Sequence, residues 1–147
     1  MSKLSAMRKT DMNRWSVTAL VLWMSVIFYF SSMSGTTSAS LAPFDSLLER
    51  KGAHVFEYLV LSLLVFNVLR RTFIRERLGA QMALIASLSL LYALSDEIHQ
   101  LFVPGREGKL SDIGIDLVGI FLGILLIVAV SVRKSGGNFF TSVFPKK

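Results

Sequence analysis

Both histidines and eight of the ten acidic residues of this 147-residue chain fall within residues 45–57 and 96–116. Imidazole and carboxylate groups placed together can transfer protons, and a nearby basic side chain can hold an anion. The candidates for acid–base chemistry are His54, Glu57, Asp96, Glu97, His99 and Asp116. The candidates for binding a substrate are Lys51, Tyr58, Gln100, Arg106 and Asp112.

The spacing of these residues suits helices. Glu57 and Tyr58 lie three and four residues after His54, which places the three residues on one face of a helix. Asp96 and His99 repeat the three-residue interval. In an acid–base mechanism, His54 or His99 would be the base, and Glu57 or Asp96 would orient it.

Each of these features also has a structural interpretation. Asp112 would act as a helix cap, whereas Asp116 lies a full turn deeper, where capping no longer explains it. Lys51 would be an interfacial anchor, and the histidines would be partners in a structural network. The pair Pro104-Gly105 predicts a turn between two helices.

The elements that must position these groups are membrane spans. Hydrophobic residues make up 52% of the chain and charged residues 18%, whereas soluble domains carry about 25% charged residues. Four apolar stretches lie near 15–32, 53–69, 79–103 and 112–132, and each is long enough to cross a bilayer. The sequence therefore predicts an all-α fold, an integral membrane four-helix bundle, and excludes a soluble globular enzyme. Gly119-x-x-x-Gly123 predicts close helix packing on the face that also carries Asp116.

The basic residues predict the orientation. Twelve of the sixteen Lys and Arg residues lie in 1–14, 70–77 and 133–147. By the positive-inside rule, both termini and the middle loop are cytoplasmic, so the polar candidates lie at the extracytoplasmic leaflet. We expect a multi-pass protein of the bacterial cytoplasmic (inner) membrane, with a basic N-terminus at 1–14, a membrane domain at 15–132 and a cytoplasmic tail at 133–147.

Composition limits the cofactors and partners. The chain has no cysteine, which excludes disulfides, thiol nucleophiles and thiolate metal sites. Its net charge of +6 is explained by helix orientation, so we expect no nucleic-acid partner. We expect no cofactor; a divalent metal is the alternative, because His54-x-x-Glu57 and Asp96-x-x-His99 each place an imidazole and a carboxylate one turn apart. The metal ligands are unknown.

Three blocks of sequence together resemble the VanZ-like family: Lys51-Gly-Ala-His-Val-Phe-Glu-Tyr-Leu59, Tyr92-Ala-Leu-Ser-Asp-Glu-Ile-His-Gln-Leu-Phe-Val-Pro-Gly-Arg106 and Asp112-Ile-Gly-Ile-Asp-Leu-Val-Gly119. Phe30-Ser-Ser-Met-Ser-Gly35 resembles the segment that closes the first helix in that family. The resemblance covers roughly residues 31–123. The family takes its name from a protein linked to low-level teicoplanin resistance, so the resemblance implies a role at the cell envelope and in glycopeptide tolerance, without a settled activity.

These observations predict a polar His, carboxylate and Arg site at the extracytoplasmic leaflet. We expect the site to act on or bind an anionic lipid-linked cell-envelope substrate, such as a lipid-linked cell-wall precursor. The alternative is a non-catalytic membrane binding or accessory protein, whose polar cluster is a ligand-binding or structural network. A transporter is disfavoured, because the polarity lies at one end and no repeat is seen. Whether the protein is an enzyme and whether it forms oligomers stay open at this point.

Overall fold

The computed structural model of the chain describes residues 3–33, 47–72, 78–106 and 108–134. Within these ranges the chain forms four α-helices, α1 (Lys3–Ser31), α2 (Leu47–Thr72), α3 (Leu78–Gln100) and α4 (Leu110–Lys134), and no strand. The predicted all-α class is confirmed for this part of the chain. The predicted tail from 135 onward, Ser34-Gly35 and the middle loop at 73–77 lie outside the described residues.

All four helices are long and apolar enough to span a membrane. The spanning portions are Arg14–Ser31, Lys51–Arg71, Leu78–Gln100 and Leu110–Arg133. Large apolar side chains cover the outside of the helices; Leu22, Leu91 and Phe121 are 61%, 63% and 63% exposed. Such a surface is suited to hydrocarbon rather than water, because a soluble monomer rarely exposes a large continuous apolar surface. The chain is a multi-pass membrane protein.

The helix ends differ from the hydropathy estimate by several residues. α1 and α2 begin earlier than the apolar stretches do, whereas α3 ends at Gln100 rather than near 103. Proline explains the early end, because Pro104 has no N–H to offer the carbonyl of Gln100. The carbonyl of Gln100 instead accepts a bond from a residue three positions on: Val103 N donates to Gln100 O over 3.1 Å.

The largest helix interface is between α2 and α4. It depends on the two predicted small residues. A Cβ added at Gly119 would collide with the backbone carbonyl of Val55, and a Cβ at Gly123 would lie 2.8 Å from the Cβ of Ser62. The prediction that Gly119-x-x-x-Gly123 lets another backbone approach is confirmed, and the approaching helix is α2.

Successive helices run in opposite directions, and α2 and α3 also contact one another and α1. We call one end of the molecule the acidic end; it comprises residues 28–33, 51–58, 92–106 and 108–116. We call the other the arginine end; it comprises residues 14–20, 65–72, 78–85 and 127–134. A buried apolar core lies between the two ends and contains Ile27, Leu61 and Ile120.

Candidate functional site at the acidic end

A histidine–aspartate pair joins α2 to α4 at the acidic end. Nδ1 of His54 lies 3.0 Å from Oδ1 of Asp116. The two side chains are 19% and 1% exposed, so the carboxylate is enclosed and the imidazole is partly accessible. Asp116 comes within reach because Gly119, three residues along the same face, allows α2 and α4 to approach closely. The prediction that Asp116 points inward is confirmed.

The pairing determines which ring nitrogen of His54 carries the proton. An ionised carboxylate only accepts hydrogen bonds, so Nδ1 of His54 must carry the proton that it shares with Asp116. In the neutral ring Nε2 is then a free acceptor, and no described residue bonds to it. The carboxylate that bonds to His54 is Asp116, whereas the sequence suggested Glu57 or Asp96 as the residue that would orient a histidine base.

A second buried pair lies within α3. Nε2 of Gln100 donates to Oδ2 of Asp96 over 2.9 Å, and both residues are almost fully buried. The other oxygen of Asp96 has no hydrogen-bond partner among the described residues, and the same is true of the Tyr58 hydroxyl and of Oδ2 of Asp116. A buried polar atom without a partner costs about 1–3 kcal/mol. The acidic end therefore contains buried polar atoms that form no hydrogen bond with any described residue.

Glu57 belongs electrostatically to the same cluster. It is half-buried on α2, and its charge interacts with those of His54, Asp96, Asp116 and Arg106. These groups come from α2, α3, α4 and the turn after α3. The structure thus brings together most of the acid–base candidates that the sequence indicated.

Glu97, in contrast, is used to hold the chain. Its Oε2 accepts the backbone N–H of Lys109 over 2.7 Å, directly before α4 begins. A carboxylate at that position satisfies a free helix N–H and is stabilised by the helix dipole. Gly108 allows this approach, because a Cβ there would lie 2.7 Å from the Glu97 carbonyl oxygen.

Asp112 lies in the first turn of α4 and is half-buried. Its Oδ1 accepts the hydroxyl of Ser111 over 3.2 Å, and its backbone N–H donates to the carbonyl of Lys109. Its charge interacts with those of Asp116 and Glu97. The position agrees with the capping interpretation and also adds negative charge to the rim of the cluster.

Arg106 is held by the end of α1. The predicted Pro104-Gly105 turn is present: Arg106 N donates to Val103 O, and Gly105 has a φ of 74°, which favours glycine. The turn directs the guanidinium to α1, where Nε donates to Met33 O over 3.1 Å and Nη2 to Phe30 O over 2.8 Å. A cation on the last carbonyls of a helix stabilises that end.

His99 also contacts α1 rather than the His54–Asp116 pair. Its ring stacks on Phe28 with centroids 4.5 Å apart, and its Nε2 lies 3.0 Å from the hydroxyl of Ser32. Ser32 donates its single hydroxyl proton to Phe28 O, so the hydroxyl oxygen accepts from Nε2 of His99. The two histidines therefore lie in different environments.

The remaining candidates are Lys51 and a metal site. Lys51 is exposed, one turn before His54 on α2, and makes no hydrogen bond or ion pair with the rest of the described chain. In the parts of the chain that the structure describes, no three His, Asp or Glu residues are arranged to hold a metal ion.

Two side chains that were not predicted from the sequence join α1 to α2. The indole of Trp23 donates to the carbonyl of Glu57 over 3.0 Å, and Asn67 bonds to Ser16 at the arginine end. The available signal was chemical: an indole N–H or a side-chain amide inside an apolar span needs a partner. Tyr92 acts in the same way, donating to Met24 O over 2.6 Å.

Comparison with known proteins gives one match. A family model described as VanZ/LLP1 matches residues 16–131, a range that overlaps all four spans and includes every candidate named above. No curated protein and no solved structure is significantly similar to the chain.

Proposed function

The chain belongs to the VanZ/LLP1 family, and we propose that its acidic end is the head-group site for an anionic lipid-linked cell-envelope substrate. In this proposal both termini are cytoplasmic, as the distribution of basic residues predicts, so the acidic end faces the outer leaflet of the bacterial cytoplasmic membrane. Lipid-linked phosphates, such as polyprenyl carriers and lipid-linked cell-wall precursors, present anionic groups at that face.

The observation that carries the proposal is the His54–Asp116 pair. A buried carboxylate holds Nδ1, and the His54 side chain is partly accessible, so its Nε2 can accept a proton from a water or hydroxyl nucleophile. Asp116 then stabilises the imidazolium that forms, as the carboxylate does in serine hydrolase triads. Retaining an ionisable pair within a span is costly, and such pairs are by default functional.

Lys51 is the group best placed to attract the anion. It is exposed, it lies three residues before His54 and so on the same side of α2, and it can move to meet a head group. Arg106 is assigned a different task here, since two of its N–H groups already bond to the end of α1. It fixes the turn beside the site, and Lys51 provides the mobile charge.

The second candidate is a non-catalytic binding or accessory protein. Three of the acid–base and binding candidates favour it, because Glu97, His99 and Arg106 each tie one chain segment to another. In this version the His54–Asp116 pair recognises the head group and returns it unchanged.

The test uses purified protein in lipid nanodiscs with a polyprenyl phosphate or polyprenyl diphosphate as the probe. Binding is followed by native mass spectrometry, and turnover by release of inorganic phosphate. For catalysis, His54→Gln and Asp116→Asn should lower turnover about 10²–10⁴-fold and leave most of the binding intact. Lys51→Gln should weaken binding, and Arg14→Gln, an exposed charge at the other end, is the matched control.

The outcomes separate the two candidates. Binding without phosphate release by the wild-type protein would support the accessory role, whereas wild-type turnover in both His54→Gln and Asp116→Asn would overturn the site. The same variants tested in cells check the wider proposal of glycopeptide tolerance: at equal membrane abundance, they should lose any protection from teicoplanin that the wild-type chain confers.

A further inference from the structure

A second built polar arrangement lies at the arginine end, centred on the side-chain amide of Asn67. Its Nδ2 donates to the buried hydroxyl of Ser16 on α1 over 3.1 Å. Its Oδ1 accepts three N–H groups, from Nε and Nη2 of Arg70 at 3.1 and 2.9 Å and from Nε of Arg71 at 3.0 Å. The guanidinium N–H groups can only donate, so the amide oxygen must face the two arginines and the amide nitrogen must face Ser16.

This geometry holds two positive charges together on a neutral oxygen. Neither guanidinium has a carboxylate partner among the described residues. Phe66 lies 5.8 Å below the Arg70 guanidinium and helps to fix it. Each guanidinium has five N–H donors, and most of those on this pair remain for another acceptor. Adjacent guanidinium groups with free N–H forks are suited to phosphate oxygens.

The position of the pair favours a phosphate that is part of a lipid. Arg71 is the last residue of the second span, at the depth where lipid head groups begin. Arg70 and Arg71 lie three and four residues after Asn67, so the three residues form one stripe of α2 at this depth.

We infer that Asn67, Arg70 and Arg71 form a binding site for the phosphate of an anionic membrane lipid, whose acyl chains lie in the surrounding bilayer. The site does not depend on the function proposed for the acidic end, since it lies at the opposite end and uses none of the same residues. Asn67 is a positioning residue, because it aligns the arginines and leaves contact with the lipid to them.

Binding of phosphatidylglycerol to the full-length protein, measured by native mass spectrometry, tests this inference. Arg70→Gln with Arg71→Gln should reduce affinity about tenfold or more, the loss expected for charge-assisted hydrogen bonds. Asn67→Ala keeps both charges and should reduce it about threefold. The matched control is Arg14→Gln with Arg133→Gln, which removes the same charge from exposed positions at the same end and should change affinity less than twofold.

Phosphatidylcholine and inorganic phosphate complete the experiment. Phosphatidylcholine binding should be unaltered in every variant, and millimolar inorganic phosphate should not displace phosphatidylglycerol. Equal losses in the two double variants would reduce the effect to general charge attraction and overturn the site. Ready displacement by inorganic phosphate would overturn the lipid assignment, and unchanged affinity in Asn67→Ala would overturn the positioning role. A melting temperature measured for each variant identifies any loss that is due to unfolding.

Discussion

The two ends of the molecule both carry polar clusters inside apolar helices, but they satisfy these groups differently. At the arginine end, the amide nitrogen of Asn67 donates to Ser16 and its oxygen accepts three N–H groups, and the charged groups around it are exposed or half-buried. At the acidic end, Asp96 and Asp116 are buried, and each keeps one oxygen without a partner in the described structure. The amide at the first end is thus bonded within the chain, whereas the second end keeps buried oxygens that no described residue bonds.

The acidic end itself contains polar groups of two kinds. Glu97 and Arg106 bond to backbone groups at helix ends, and so their contacts stabilise the chain. His54 and Asp116 bond to each other within the spans, where an ion pair is poor evidence for stability, because desolvation opposes the attraction. Groups that hold helix ends and a buried pair within the spans therefore lie at the same end of the molecule.

The largest expected effect concerns which end faces outward, and it is all or none. The natural chain has no cysteine, so single cysteines report cleanly. Lys109→Cys at the acidic end should react with a membrane-impermeant maleimide in intact cells, and Arg133→Cys only after permeabilisation. Both positions are exposed, whereas Gly108 has no room for a Cβ. The reverse labelling pattern would place the acidic cluster in the cytoplasm and contradict the proposed substrate face.

Sequence predicted the number of helices and their inner contact correctly because both follow from simple physical rules. Apolar length identifies a span, and a small-x-x-x-small pair identifies close packing, as Gly119 and Gly123 show. The same reasoning indicated that Asp116 faces inward. The helix ends were less accurate, since capping by Glu97 and the missing N–H of Pro104 act over only one turn.

The partners of individual groups could not be predicted. Several carboxylates lie within one or two helical turns of His54 or face it from another helix, and only the packing of α4 selects Asp116. His99 shares a face with Asp96 on a helical wheel, but the position of α1 directs its contacts to Phe28 and Ser32. Periodicity gives the face of a helix and leaves the neighbour on that face unspecified.

The next largest effect tests the contact that assembles the reactive pair. Gly119→Ala would force a methyl group against the carbonyl of Val55 and the Cβ of Tyr58, so we expect a loss of about 3 kcal/mol in unfolding free energy. Gly114→Ala on the same helix meets nothing within 4 Å and should be neutral or stabilising by up to about 1 kcal/mol. Unfolding in mixed micelles measures both, and equal effects would contradict the described α2–α4 packing.

Glu97 tests whether a buried carboxylate at the acidic end can be purely stabilising. Glu97→Ala removes the acceptor for Lys109 N–H and should cost about 1–2 kcal/mol, the usual value of a helix cap. Glu97→Gln keeps an oxygen in the same place and should cost about 0.3–1 kcal/mol through the lost interaction with the helix dipole. If Glu97→Gln kept its stability and abolished activity, Glu97 would belong with the reactive groups.

The smallest expected effect is a change in stability that has opposite signs at the two ends. Asp96→Asn and Asn67→Ala test it. Asn67→Ala removes the N–H that donates to Ser16 and the oxygen that accepts from both arginines. It should destabilise the protein by about 1 kcal/mol. Asp96→Asn keeps the shape and an oxygen for Gln100, and it removes a buried charge whose second oxygen has no partner among the described residues. It should therefore leave stability unchanged or raise it by about 1 kcal/mol, as is typical of functional sites that are retained at a cost to stability. The measurement is again unfolding in mixed micelles, with membrane abundance as a second readout. A loss of about 3–5 kcal/mol in Asp96→Asn would mean that the charge is part of a structural pair. Asp96 would then stabilise the fold, as the Asn67–Ser16 contact does at the arginine end.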